Sequence, residues 1–180
     1  MENNLCLYNC TGARLYFAPH LSEAYGVRIY LLCTDCSVVL SPSQEERISM
    51  EVRRVHRAVI GYNPDALLAF APDKTTVNHL FSAFFREPDV SLFGLTAAAP
   101  GKSSDNLWPP HPEEEGHVEY YAVSDADARS AQAQILQLEG IHTDLDSART
   151  AAFAGKLSEI ANPDNTLILC ISAGLPEEKS

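Results

Sequence analysis

The densest chemistry in this chain lies in one short segment, where His142, Asp144, Asp146 and Ser147 put an imidazole, two carboxylates and a hydroxyl close together. Facing a common cleft, such groups can exchange protons with a substrate, and Ser172 and His79 are the further side chains that could line it. The plainer alternative is that Asp144 or Asp146 caps a helix running from Ser147, with His142 in solvent. A second segment, Lys74, Thr75 and Thr76, offers one ammonium and two hydroxyls at a helix start, a combination that suits a small anion. Its plainer reading is a solvated turn with a threonine cap.

The thiols make a third group. Cys6, Cys10, Cys33 and Cys36 could supply four thiolates to a tetrahedral zinc. The spacing of the first pair is unlike a ribbon knuckle, and the chain between the pairs reads as helix and strand. Free thiols are therefore expected, and no metal. A redox role is disfavoured because Cys33 and Cys36 sit at a strand end with no helix N-terminus following to lower a thiol pKa. Thr96 to Ser103 ends like a nucleotide-binding Gly-Lys-Ser, but it lacks the first glycine, and Trp108-Pro109-Pro110 leaves no clean helix start. His111 and His117 read as solvated residues, and Trp108 as an anchor for its loop.

Periodicity sets the frame that must position these groups. Pro19 to Tyr25 reads as a helix and Val27 to Leu32 as a strand. Ser43 is placed to cap a helix from near Gln44, with Ile48, Val52, Val55 and Val59 on one stripe and Gly61 ending it. Asp65 to Phe70 and Val90 to Leu95 are continuously apolar, the pattern of parallel strands buried on both faces, with a helix expected over Val77 to Arg86 between them. Val118 to Val123 reads as a strand, Ser124 as the cap of a helix through Leu138, Ser147 to Ile160 as a helix, and Thr166 to Ile171 as a last strand. Residues 97–117 read as a long surface loop. The sum is a single doubly wound α/β domain over residues 1–180, with a mostly parallel sheet and helices on both faces.

Composition narrows the function classes. Net charge is −11, from 24 acidic against 13 basic residues, which argues against a surface that tracks nucleic-acid phosphates. No apolar run approaches the length of a bilayer span, and MENNLCLYNC is unlike a secretory leader, so no membrane association and a cytoplasmic location are expected. Five cysteines, an odd number in a chain of this size, favour reduced thiols.

Residues 12–30, GARLYFAPHLSEAYGVRIY, resemble the entry to the substrate site of tryptophan synthase β subunits, enzymes of the type II pyridoxal-phosphate fold. VRRVHRAVIG at 52–61 is similar to that family's helix closing on Ile-Gly, and Pro64 to Phe70 to the strand feeding its glycine-rich phosphate loop. FSAFFREPDVSLFGL at 81–95 is similar to the helix, turn and strand beyond that loop. Tyr121 to Ala128 resembles its Ser-Asp-x-Glu-Ala helix start, and Leu138 to Ile141 its Glu-Gly-Ile turn. LILCISAG at 167–174 resembles its last strand, whose serine reaches the cofactor's pyridine nitrogen; Ser172 falls there, and Asp146 falls near a family glutamate. Threonine and cysteate synthases are similar over the last third. In the family a His-Thr-Gly-Ala-His-Lys motif carries the Schiff-base lysine, whereas here the strand runs into Leu31 to Ser37 and no lysine follows until Lys74. Most of the family's N-terminal domain has no counterpart between residues 37 and 48. Of the Gly-Gly-Gly-Ser-Asn phosphate grip only Asn78 is kept, with Pro72 removing a donor and Asp73 adding a negative charge.

The resemblance therefore implies a truncated relative of the β subunit, not an active pyridoxal-phosphate tryptophan synthase. Pyridoxal phosphate is not expected as a cofactor, because a Schiff-base lysine must be both placed and desolvated. The favoured function is a non-catalytic descendant binding a small ligand, through Lys74, Thr75, Thr76, Asn78 and His79, or a partner protein. The alternative is an enzyme of cyclase, lyase or isomerase type working without that cofactor, on a small indole-like or amino-acid-derived substrate, through His142, Asp146 and Ser172. A homodimer covering apolar faces is the expected assembly.

Overall fold

A computed structural model of the protein describes residues 6–10, 13–35, 39–72, 77–99 and 118–173. Seven strands form one sheet in the order β1-β2-β3-β7-β4-β5-β6: Cys6–Cys10 (β1), Ala13–Phe17 (β2), Arg28–Asp35 (β3), Ala66–Phe70 (β4), Ser91–Ala97 (β5), Val118–Val123 (β6) and Thr166–Ala173 (β7). From β3 to β6 across the sheet every pairing is parallel, while β1 and β2 add an antiparallel edge. The expected mostly parallel, doubly wound architecture is the one observed.

One face of the sheet carries Pro42–Ile60 (α2) and the short Asn78–Phe81 (α3), which continues as a 3-10 turn over Ser82–Phe84. Leu15, Tyr30, Leu32, Leu67, Leu92, Tyr120 and Ile168 face these elements, and Ile48, Val52, Phe81 and Phe84 pack down on them. The other face carries Pro19–Tyr25 (α1), Asp125–Glu139 (α4) and Leu145–Ser158 (α5), packed on Ile29, Leu31, Leu68, Leu95, Leu169 and Ile171. Each inner strand thus alternates between two buried faces, which is why these strands read as unbroken apolar runs.

Several boundaries differ from expectation. The cap of α2 is Ser41, not Ser43: its hydroxyl accepts from Gln44 N, Gln44 Oε1 accepts from Ser41 N at 2.7 Å, and Pro42 occupies the first turn. The helix expected over Val77 to Arg86 is limited to one α-turn and a 3-10 turn. Helix α5 begins at Leu145 under an Asp144 cap, two residues before Ser147. The β1–β2 hairpin is an addition that periodicity did not show. Strand β5 runs through Ala97, so the expected loop starts later, and residues 100–117, including Lys102, Trp108, His111 and His117, lie outside the described residues.

Candidate functional site

In open parallel sheets the carboxyl ends of the strands border a crevice where the connections depart to opposite faces. Here β7 lies between β3 and β4, so the β3–α2–β4 connection crosses over it on one face, while α5 precedes it on the other. At the carboxyl ends of these three strands a crevice of about 370 Å³ opens. Thr34 and Asp35 from β3, Ala69 and Phe70 from β4, and Cys170 to Ser172 from β7 form its floor. Leu40 and Glu45 at the start of α2, Val77 and Leu80, and Asp144, Asp146 and Ser147 at the start of α5 form its walls.

The α5 wall is held by a chain of hydrogen bonds. Asp144 Oδ1 accepts from Ser147 N at 2.7 Å, closing the first turn. Ser147 Oγ in turn accepts from Ser172 N at 2.9 Å, and Thr143 Oγ1 donates to Ser172 O at 2.7 Å. Ser172 is therefore fixed through its backbone on both sides. Asp146 is tied to Arg149, which is only 3% exposed and also donates to Val123 O at 2.7 Å and Asp125 Oδ1 at 2.8 Å. That guanidinium holds the Asp125 carboxyl below its ordinary range.

Of the residues singled out from sequence, Asp146 and Ser172 meet in this crevice together with Asp144 and Ser147. His142 does not join them: it lies in a separate depression with Arg129, Gln132, Ala133, Leu136 and Thr143. Asn78 and His79 sit on α3 beside the crevice without lining it, and His79 Nδ1 meets Glu46 Oε2 at 2.9 Å. Lys74, Thr75 and Thr76 lie outside the described residues, as does Cys36. Cys6 and Cys10 pair with β2 through their backbone, and Cys33 is buried in β3 and outside any disulfide. Among the described residues no group of three or more His, Cys, Asp or Glu side chains could hold a metal ion.

Sequence reasoning missed Glu45 and Cys170. Burial raises the Glu45 carboxyl above the usual carboxylate range, and the nearby His79 works against that rise. Glu45 is thus a half-buried carboxyl in the crevice wall. Its only sequence signal was a place in the first turn of α2, a common position for an acidic residue of no function. Burial, with Glu45 and Cys33 adding to it, pushes the Cys170 thiol up to about 12, so this sulfur is a poor nucleophile at neutral pH.

Pyridoxal phosphate, which the resemblance implies, needs a lysine amine and a cationic or N–H-rich cradle for a dianion. The described lining offers the opposite, with Asp35, Glu45, Asp144 and Asp146 and neither lysine, arginine nor histidine. Lys156, the one lysine among the described residues, is exposed on α5 and faces Asp127 Oδ2 at 3.8 Å. The described residues do not fit the group.

No protein-family model matches the chain. It is 24% identical, over an alignment of 172 residues, to the tryptophan synthase beta chain of Nitrosomonas europaea, which covers 69% of this chain and 43% of that protein. This weak homology agrees with the motifs read from the sequence, and the chain spans less than half the length of that relative. The crystal structure of O-ureido-L-serine synthase has a similar fold, with a TM-score of 0.54 at 17% identity, covering 74% of this chain and 46% of that one. The fold is thus the α/β architecture that the resemblance implied.

Proposed function

We propose that this tryptophan synthase beta-like chain binds a small, uncharged or amine-bearing ligand in the crevice between the starts of α2 and α5, without pyridoxal phosphate. The observation that supports this reading is the crevice lining: four carboxylates and an apolar floor at the strand ends, where the resemblance calls for a phosphate cradle. A dianion placed there meets like charge in a partly desolvated site, whereas an ammonium or an indole-like ring meets complementary groups. Protein partners and self-association belong to the same reading, and light scattering at micromolar concentration tests the second, with a monomer ending it. The buried, reduced cysteines Cys33 and Cys170 suit a reducing compartment such as the cytoplasm.

Glu45 favours a second reading, an enzyme of lyase or isomerase type that needs no such cofactor. A carboxyl raised by burial holds a proton nearer neutral pH than an exposed one and can hand it to a substrate on the crevice floor. Asp146 and Ser172 would then orient the substrate, and His142 would take no part. A thermal-shift screen with indole, serine and tryptophan, on the native chain and on Thr34→Trp, tests the main reading. The expected result is a ligand that raises the native melting temperature but not that of the blocked variant. Equal shifts in both, or covalent retention of pyridoxal phosphate on a lysine after borohydride, would overturn it. Turnover lost in Glu45→Gln with ligand binding kept would favour the enzyme.

A further inference from the structure

His142, set apart from the crevice, lies in a second depression of about 280 Å³ beside α4. We infer that this depression is a binding subsite for a small carboxylate with an apolar body, independent of the crevice reading.

Three features carry the inference. Arg129 and His142 are both exposed at the depression, and among the described residues neither has an ion-pair or hydrogen-bond partner. Asp125, one helical turn before Arg129 and within reach of its charge, is already hydrogen-bonded by the buried Arg149 at 2.8 Å, so the Arg129 guanidinium keeps its planar fork of donors for a ligand. In a chain of net charge −11 an unpaired guanidinium beside an imidazole is a local exception to the prevailing field. Second, Ala133 one helical turn and Leu136, 41% exposed, two turns from Arg129 give the depression an apolar wall, which suits an alkyl or aryl group and not a bare inorganic anion. Third, the opposite wall is rigid. Gln132 Nε2 donates to Thr143 O at 2.8 Å, and Thr143 is bridged to Ala173 and bonded to Ser172 O, so the loop that presents His142 is already ordered before a ligand arrives.

The test is a titration followed by amide resonances of the full chain, with benzoate as probe and with benzyl alcohol and inorganic phosphate as comparisons. Benzoate is expected to shift the Gln132, Leu136 and Thr143 amides saturably. Arg129→Gln, which removes an exposed side chain without a structural partner, should weaken benzoate at least about tenfold with an unchanged melting temperature. His142→Asn should weaken it by a smaller factor. Three results would each overturn the assignment: benzyl alcohol binding as well as benzoate, phosphate binding as tightly as benzoate, or Arg129→Gln titrating like the native chain.

Discussion

His56 ties the acid stability of this fold to one buried ring. It lies on α2 at 0% exposure, edge-on to Tyr30 at 5.7 Å and to Tyr62 at 6.3 Å. Its Nδ1 lies 2.6 Å from Tyr62 O, and since a carbonyl only accepts, Nδ1 carries the proton of the neutral ring. Nε2 is buried with no hydrogen-bond partner among the described residues. Burial depresses the His56 pKa below 6.5, against the opposing pull of the Tyr62 carbonyl and of Asp65. The unfolded chain therefore binds this proton first. The contribution of His56 is fully present above pH 6.5 and is lost as pH falls through 6.5 toward the folded value. Between pH 7.5 and 5.5, one unit of which lies below the unfolded value, the loss amounts to at most about 1.4 kcal/mol. Urea unfolding at both pH values measures it, with His56→Asn as reference, because asparagine keeps a donor toward Tyr62 O and does not titrate. The native chain should lose up to about 1.4 kcal/mol more than the variant over that interval. Equal losses in the two proteins would refute the assignment of an orphaned, uncharged ring.

Ser41→Ala should cost about 1 kcal/mol in urea unfolding by removing the hydroxyl that accepts from Gln44 N, the Ser41 N bond to Gln44 Oε1 being kept, whereas Ser43→Ala should stay within about 0.5 kcal/mol. In Gly94→Ala the new methyl carbon would stand 2.8 Å from two Tyr120 ring carbons on the neighbouring strand, a loss of about 1–3 kcal/mol. Adding Tyr120→Leu should recover part of that loss in a double-mutant cycle. Arg149→Met leaves the Val123 carbonyl with only its bond from Ala98 N at 3.0 Å, and its half-exposed partners Asp125 and Asp146 find water, so the expected loss is about 0.5–1.5 kcal/mol. Arg149→Lys should fail to restore it, since a single ammonium cannot reach the three acceptors held by one planar fork.

Strands buried on both faces were the most legible part of the fold. Val118–Val123 and Pro19–Tyr25 have the bounds expected of them, because apolar runs and a proline start leave few alternatives. The β1–β2 hairpin escaped because Cys6–Cys10 mixes polar and apolar residues without alternation and sits at the sheet edge, paired only with β2. Over residues 77–86, where a longer helix was expected, the chain makes one α-turn and a 3-10 turn. Phe81 and Phe84 are instead fully buried by a tighter turn, and Pro88 follows too soon for further α-turns. The α2 start was readable in Ser41-Pro42-Ser43-Gln44, where proline at the first helical position and glutamine at the third both point to Ser41 as cap.

The site was less legible, for a geometric reason seen at His142. Four residues from Asp146 in sequence, it is turned away because residues 141–143 run extended, with Ile141 and Thr143 buried and His142 between them exposed. Alternate side chains of an extended segment point to opposite sides, so the contact of Thr143 with Ser172 sends His142 outward. Proximity in sequence therefore grouped the imidazole with side chains that line a different depression. Thr34, Glu45, Asp146 and Ser172, far apart along the chain, meet because β7 inserts between β3 and β4. That insertion would produce a crevice whatever residues lined it, so the crevice alone says nothing of chemistry. The feature that supports the proposed reading is its charge: Asp35, Glu45, Asp144 and Asp146 stand in the described lining at strand ends where a phosphate site would be built of glycine and lysine.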